Sequence, residues 1–443
     1  MTDHLVLGLG VTGRAVARSL VARGEGVRLV DDRPTDEGRA FAQDLGVALV
    51  EAPTPERLTA LLAETGAVVP SPGVPDHHPV FAAARAADVP VLSEFDLAAR
   101  WDDRPLVAIT GTNGKTTVTE LTRAMLDASG RRAVAAGNTE VPLVEAIEDP
   151  TTEVFVVEAS SFRLLHSQRF APDVGTWLNL APDHLDSHAS LEGYVAAKAR
   201  LWRDQAADQV AIGNADDPVV AGHLAAAPGR RVTFGLGADA DHHLDGGRLV
   251  LAGGEVLARI AELPRAFPHD LANALASAAS AVHGGGTVEG ARQALLAFRG
   301  LPHRVSLVGE AGGVRWYDDS KATAPHATRA AVEGFPSVVL IAGGRNKGLD
   351  LGVLRDSATH IRGVVAIGEA ADEVAAAFDG LRPVTRAHSM EEAVDAAAAL
   401  ARAGDVVLLS PACASFDWYR SYAERGDDFV VAVNRHLAEV GGS

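Results

Sequence analysis

Residues 106–117, LVAITGTNGKTT, leave few ways to fold: an apolar strand runs into a glycine turn, and Lys-Thr-Thr then opens a helix. A phosphate needs several backbone N–H groups aimed inward, and glycines at 111 and 114 give the chain the freedom to supply them. The helix behind the turn offers its positive end to the same anion. The stretch Gly111, Thr112, Asn113, Gly114, Lys115, Thr116 and Thr117 is therefore the candidate nucleotide-phosphate loop, with Lys115 reaching the outer phosphates and the Thr116 hydroxyl holding Mg²⁺. The spacing is shorter than G-x-x-x-x-G-K-[ST], whose first glycine would fall at Ile109. An ordinary strand-to-helix turn with an exposed lysine is the alternative. Val118, Leu121 and Met125 on one helix face, with Gly130 as a stop, supply the context that the phosphate loop requires.

A chain of 443 residues is too long for one core, and the size prior gives about three domains. Apolar strand-like runs alternate with amphipathic stretches, which predicts parallel sheets covered by helices. The expected limits are 1–95, 96–300 and 301–443. The first block holds HLVLGLG, GVRLVDD, VALVEA, GAVVPSPG and VPVLSE as strands, and 235–255 reads as a surface hairpin. Net charge is −18 with no Lys/Arg run, which argues against nucleic acid or an anionic membrane surface as partner. One cysteine, Cys413, excludes disulfides and cysteine-cluster metal sites and fits a reducing cytoplasm. The chain enters a strand at once without a basic leader, and no apolar run reaches the roughly 18 residues of a membrane span. The expectation is a cytoplasmic α/β protein.

Two further clusters bear on chemistry. Gly8, Gly10 and Gly13 follow the first strand in the G-x-G-x-x-G pattern, and Asp31-Asp32 end the second strand about 20 residues on, where an acid meets a ribose or a base. Taken alone this favours NAD or FAD; with a phosphate loop in the next block, a nucleotide-linked substrate is the other reading. Ser71-Pro72-Gly73 makes a second turn at a neighbouring strand end. Further on, SLEGYVAAKARLW reads as a helix with Leu191, Val195 and Trp202 on its apolar stripe and Lys198 among them. Snorkelling is the plain account of such a lysine. Burial would also lower its pKa, and a neutral amine adds CO₂ to give a carbamate, an anionic oxygen ligand suited to magnesium. Upstream, NLAPDHLDSH gathers Asp183, His184, Asp186 and His188 at a strand end, and Glu158 closes another strand as a further oxygen ligand.

These pieces stand in one order: GTNGKTT, VEASSF, NLAPDHLD, YVAAKARLW, HDLANALA, GLPHR, DDSKAT and SPACASFD. Together they resemble the Mur ligase family, the ATP-dependent amide-forming enzymes of peptidoglycan synthesis, along essentially the whole chain. GLPHR, DSKAT and SPACAS favour its glutamate-adding branch. The resemblance implies three domains: a Rossmann-like UDP-binding domain, a central P-loop ATPase-like domain and a C-terminal Rossmann-like domain. It implies ATP, two Mg²⁺ ions and a carbamate on Lys198, with UDP-N-acetylmuramoyl-L-alanine and glutamate as substrates, acting as a monomer. Lys115, His184 and Lys198 would be catalytic, and Thr116, Glu158, His184 and Lys198 would serve the metals. Asn273, Arg304 and Asp319 would join the loop in holding ATP. Gly10, Val11, Thr12, Asp31, Asp32, Ser71 and Asn138 would hold the UDP-sugar. Lys321, Thr323, Lys347, Ser415 and Tyr422 would take the glutamate. ATP would activate the alanyl carboxylate as an acyl phosphate, which the glutamate amine then attacks.

Four positions depart from the family pattern: Arg163 for glutamine, Asp270 for asparagine, Ala324 for asparagine and Tyr422 for phenylalanine. Arg163 is expected to add a cation near the substrate path. Ala324 and Tyr422 border the amino-acid pocket, which leaves D- against L-glutamate open. A folate-type amino-acid ligase, a nicotinamide oxidoreductase built on GLGVTGR and a non-catalytic nucleotide sensor are the competing readings.

Overall fold

Every strand of the largest sheet in the first half of the chain runs parallel, and the strand bearing the glycine loop lies inside it. The computed structural model describes residues 3–183, 188 and 190–441. They divide into two compact units, Met1–Ala266 with Asp270–Phe298, and Phe267–His269 with Arg299–Ser443.

Among the described residues the first unit holds three sheets. One is parallel, in the order Leu49–Glu51, Gly26–Asp31, Asp3–Leu7, Ala67–Pro70. The fifth run expected here, VPVLSE, contributes only a bridge between Val91 and Val68. Pro90 has no N–H to give, and Ser93 already caps the helix Glu94–Trp101, so no length is left for a strand. The second sheet runs Arg230–Phe234, Val210–Asn214, Val174–Trp177, Leu106–Thr110, Val154–Glu158, Ala133–Gly137. Its interior strands are near-continuous apolar runs because helices cover both faces; Val154–Glu158 is buried throughout. The register sets Ile109 beside Glu158 and Thr110 beside Trp177. The chain continues to one side of Leu106–Thr110 and later returns on the other, so the loop after this strand opens at the switch point where such sheets bind ligands.

The stretch expected to be a surface hairpin forms two strands of a third sheet, antiparallel, of His243–Asp245, Arg248–Val250 and Val256–Arg259. Gly246 and Gly247 both take positive φ at the tight turn. Leu249, Leu257 and Ala258 are fully buried in the core shared with the helix Lys115–Ala128, which is why the element is packed down as a sheet.

The second unit is one six-stranded sheet in the order Ser306–Ala311, Val314–Asp318, Val406–Leu409, Val338–Gly343, Ile361–Ile367, Val384–Ala387. All pairs are parallel except the first, a hairpin. Among the described residues no helix is long and apolar enough to cross a membrane.

Candidate active site

The glycine loop is held from behind by one asparagine. Asn179 accepts from the amides of Thr112 at 3.1 Å and Asn113 at 2.8 Å through one oxygen, and its amide donates to the Asn113 carbonyl at 3.2 Å. The Thr112 hydroxyl accepts from the Ala181 amide at 2.9 Å and lies 3.2 Å from the Tyr194 hydroxyl. Gly114 has φ +84°, and a Cβ there would stand 2.7 Å from Asn273 Oδ1; side chains are excluded twice over. Asn273 thus sits against the loop. Lys115 Nζ folds back to the carbonyls of Gly111 and Thr112, each at 2.9 Å, while Thr116 and Thr117 are half-buried in the first helical turn.

Lys198 meets the same loop. Its helix, Leu191–Arg203, buries Tyr194, Ala197, Leu201 and Trp202, so the buried stripe is not the Leu191–Val195–Trp202 line expected; Leu191 and Val195 are only half-buried. Lys198 is 1% exposed and does not snorkel. Its Nζ donates to the Gly111 carbonyl at 2.7 Å and lies 4.6 Å from the centre of the Tyr194 ring. Burial first, and then the Lys115 charge, push its pKa well below that of an ordinary lysine, against the opposing pull of Asp183 and Glu158.

Glu158 is 3% exposed. One carboxylate oxygen accepts from Asn138 Nδ2 at 2.8 Å; the other is buried with no hydrogen-bond partner. An anionic oxygen kept dry and unpaired is costly unless a cation completes it, so this carboxylate fits a hard ion such as Mg²⁺. Among the described residues no three His, Cys, Asp or Glu side chains cluster as a metal site. His184 and Asp186 lie outside the described residues. His188 packs elsewhere: its Nε2 is 2.9 Å from Ser161 Oγ and its Nδ1 is 3.4 Å from Asp76.

At the first sheet, Gly13 is obligatory, because a Cβ would come within 1.9 Å of the Gly8 carbonyl. Gly10 caps the helix Val11–Ala22, and Val11 is exposed beside it. Asp31 spends both oxygens on the turn itself, accepting from the amides of Leu9 at 2.7 Å and Arg33 at 2.9 Å. Asp32 pairs with His78 at 2.8 Å, and Ser71 Oγ donates to the Gly8 carbonyl at 2.7 Å.

In the second unit Asp319 is buried, accepting from Ser410 Oγ at 2.7 Å and the Val305 amide at 3.3 Å. Burial lifts its carboxyl to about 7, with those hydrogen bonds and the Arg304 charge opposing. Lys321 Nζ lies 4.0 Å from the centre of the Tyr422 ring, a cation–π contact. Thr323 is half-buried, Lys347 exposed and Ser415 buried.

Three family models match in chain order: the Mur ligase MurD-like N-terminal domain over residues 2–93, the Mur ligase middle domain over 109–281 and the Mur ligase glutamate ligase domain over 303–413. A UDP-N-acetylmuramoylalanine--D-glutamate ligase from Frankia casuarinae is 46% identical, covering 97% of this chain and 93% of its own. A protein of the same name from Thermobifida fusca is 40% identical, covering 97% of each chain. The chain belongs to the Mur ligase family. Among solved Mur ligases, MurF from Acinetobacter baumannii shares the fold with a TM-score of 0.60 at 20% identity, over 97% of this chain and 90% of its own. The MurF ligase from Thermotoga maritima in complex with ADP also gives 0.60, at 18% identity, over 99% of this chain and 95% of its own.

Within this Mur ligase the departures have physical partners. Arg163 is no free cation: it is buried, paired with buried Glu94, and donates to Thr12 Oγ1 at 2.9 Å. Asp270 pairs with Arg265 at 3.1 Å. Ala324 is buried at the start of the helix Pro325–Val332, where it offers no side-chain cap. Tyr422 faces Lys321, as above. The sequence reading missed two structural residues. Asn179 stood in the NLAPDHLD motif without a role. Arg425, 1% exposed, donates to Ser320 Oγ and to the carbonyls of Ser320 and Cys413; its spacing to Phe429 and Val433 marks it as a charge on a buried stripe.

Proposed function

We propose that this Mur ligase joins D-glutamate to UDP-N-acetylmuramoyl-L-alanine, converting ATP to ADP and phosphate. One observation carries the reading: relatives between 37% and 46% identical over nearly the whole chain bear the name of that single reaction. The geometry supports it. The loop from Gly111 to Thr117, braced by Asn179, takes the phosphates of ATP, with Asn273, Arg304 and Asp319 as further ATP-side positions. Thr116, Glu158, His184 and Lys198 would hold Mg²⁺, which when bound neutralises charge on the phosphoryl group in transit. Lys115 exchanges its two loop carbonyls for the terminal phosphate and offsets its charge as it passes to the alanyl carboxylate. The acyl phosphate so formed is open to the glutamate amine, and phosphate leaves as the amide forms.

Lys198 enters as its carbamate. The deprotonated amine favoured by its burial forms a bond to the carbon of CO₂ and releases one proton, turning a neutral buried amine into an anion that suits Lys115 and the metal. The turn at Gly10, Val11 and Thr12, with Asp31, Asp32, Ser71 and Asn138, receives the UDP-sugar. Lys321 and Lys347 face the glutamate carboxylates, with Thr323, Ser415 and Tyr422 completing that pocket. The domain limits stand at 95/96 and 300/301, and the reaction belongs to the cytoplasm. The test supplies ATP, Mg²⁺ and UDP-N-acetylmuramoyl-L-alanine and compares phosphate release with D-glutamate, L-glutamate and neither. Release with D-glutamate alone is expected; none with either glutamate refutes the assignment.

A further inference from the structure

Arg163 departs from the family pattern, is 6% exposed, and reaches from the helix Ser161–Leu165 to the first turn of the helix Val11–Ala22. Its Nη2 donates to Thr12 Oγ1 at 2.9 Å, and its Nη1 pairs with Glu94, itself 3% exposed. The pair is buried together, so little net charge reaches the glycine turn. What reaches it is hydrogen-bond direction. A guanidinium has only donors, so the Thr12 oxygen must accept and its proton must point elsewhere. Among the described residues no protein acceptor takes that proton. The other polar groups at the turn are engaged: Asp31 accepts from Leu9 and Arg33, and Ser71 donates to Gly8. A glutamine at 163 could donate or accept, and would leave the hydroxyl free to turn either way.

We infer that Arg163 is a positioning residue for the UDP-sugar, committing the Thr12 hydroxyl to donate into the glycine turn toward the substrate's pyrophosphate. This rests on the reading that the turn at Gly10–Thr12 holds that substrate. Arg163 acts through Thr12 and touches no ligand itself. The carboxylates of Asp31 and Asp32 flank the same turn, so a fixed donor there matters more than in a basic site.

A double-mutant cycle on the full chain tests it, with calorimetric affinity for UDP-N-acetylmuramoyl-L-alanine as the readout and affinity for ATP as the internal reference. The variants are Thr12→Val, the pair Arg163→Met with Glu94→Gln, and all three together. The paired change removes both charges at once, so neither stays buried alone and the fold is kept. Thr12→Val and the pair are each expected to weaken UDP-sugar binding about tenfold, the scale of one hydrogen bond to a charged group. The triple variant should be no weaker than either, and ATP affinity should stay within about twofold. If Thr12→Val weakens binding but the pair has no effect, or the two effects multiply in the triple variant, Arg163 does not act through Thr12 and the inference falls alone. If Thr12→Val has no effect, the turn does not hold the pyrophosphate, and both readings fall. Equal losses for ATP and the UDP-sugar would mark Arg163 as a structural strut and overturn its positioning role.

Discussion

Lys198 donates to the carbonyl of Gly111 at 2.7 Å across 87 positions of sequence. A helix packed on one side of the sheet is thereby pinned to the loop that opens from its centre. The same bond places the Lys198 amine next to Lys115, which shares the Gly111 oxygen. Two ammonium groups on one carbonyl repel each other, and the buried one is the easier to discharge.

Replacing Lys198 by alanine should therefore lower turnover by about two to three orders of magnitude, the cost of losing a charge-positioning group at a phosphoryl-transfer site. Added formate or acetate should restore part of it by standing in for the carbamate. Phosphate release measured with and without the carboxylate checks this, and unchanged activity in the variant would remove the role.

Glu158→Gln keeps an oxygen for Asn138 but discharges the unpaired one. The Mg²⁺ concentration for half-maximal activity should rise about tenfold or more, while the melting temperature holds or rises because the buried oxygen without a hydrogen bond no longer carries charge. Titration of activity against Mg²⁺, alongside a thermal melt, reads both.

Asn179→Ala should act in the opposite way on stability. It removes the side-chain oxygen that accepts from the Asn113 amide, while the Thr112 amide keeps the Asn179 backbone carbonyl, and costs about 1–3 kcal/mol. KM for ATP should rise more than KM for glutamate, because only the nucleotide loop loses its brace. Equal rises in both would tell against a local role.

Asp319 sets a pH dependence in the second unit. Its folded carboxyl is pushed up to about 7, chiefly by burial, whereas an unfolded aspartate titrates near about 3.9. The folded chain thus holds the extra proton, and the stability from this group is complete below about pH 4 and is lost as pH rises through about 7. Asp319→Asn should melt higher than the parent at pH 8, with the gap closing toward pH 5. Melting curves across that range decide it; a gap that does not change with pH would contradict the burial argument.

The loop 106–117 could be read from sequence because all its requirements are local: a strand, two glycines, a lysine and a helix in one run. Lys198 was legible as a buried charge, although its stripe was misplaced. Leu191 and Val195 look like the core positions, but Tyr194, Ala197 and Leu201 are the residues that are buried. Alanine and tyrosine signal burial weakly, and helical spacing alone could not choose between neighbouring stripes. Asn179 escaped because its meaning lies 66 residues away, at the Asn113 amide. The pairing of Arg163 is not legible because nothing near it in sequence announces Glu94. VPVLSE looked like a strand until Pro90 and the cap at Ser93 left it no room to pair.

The brace on the glycine loop also bears on how the nucleotide arrives. Thr112 and Asn113 have their backbone directions fixed by protein groups alone, so the ordering entropy of the loop is met during folding rather than at each encounter with ATP. Capture then reduces to a side-chain exchange, with Lys115 leaving two carbonyls for a phosphate. Such a step takes far less time than reshaping a loop, so association should be governed by diffusion into the turn rather than by waiting for it to form.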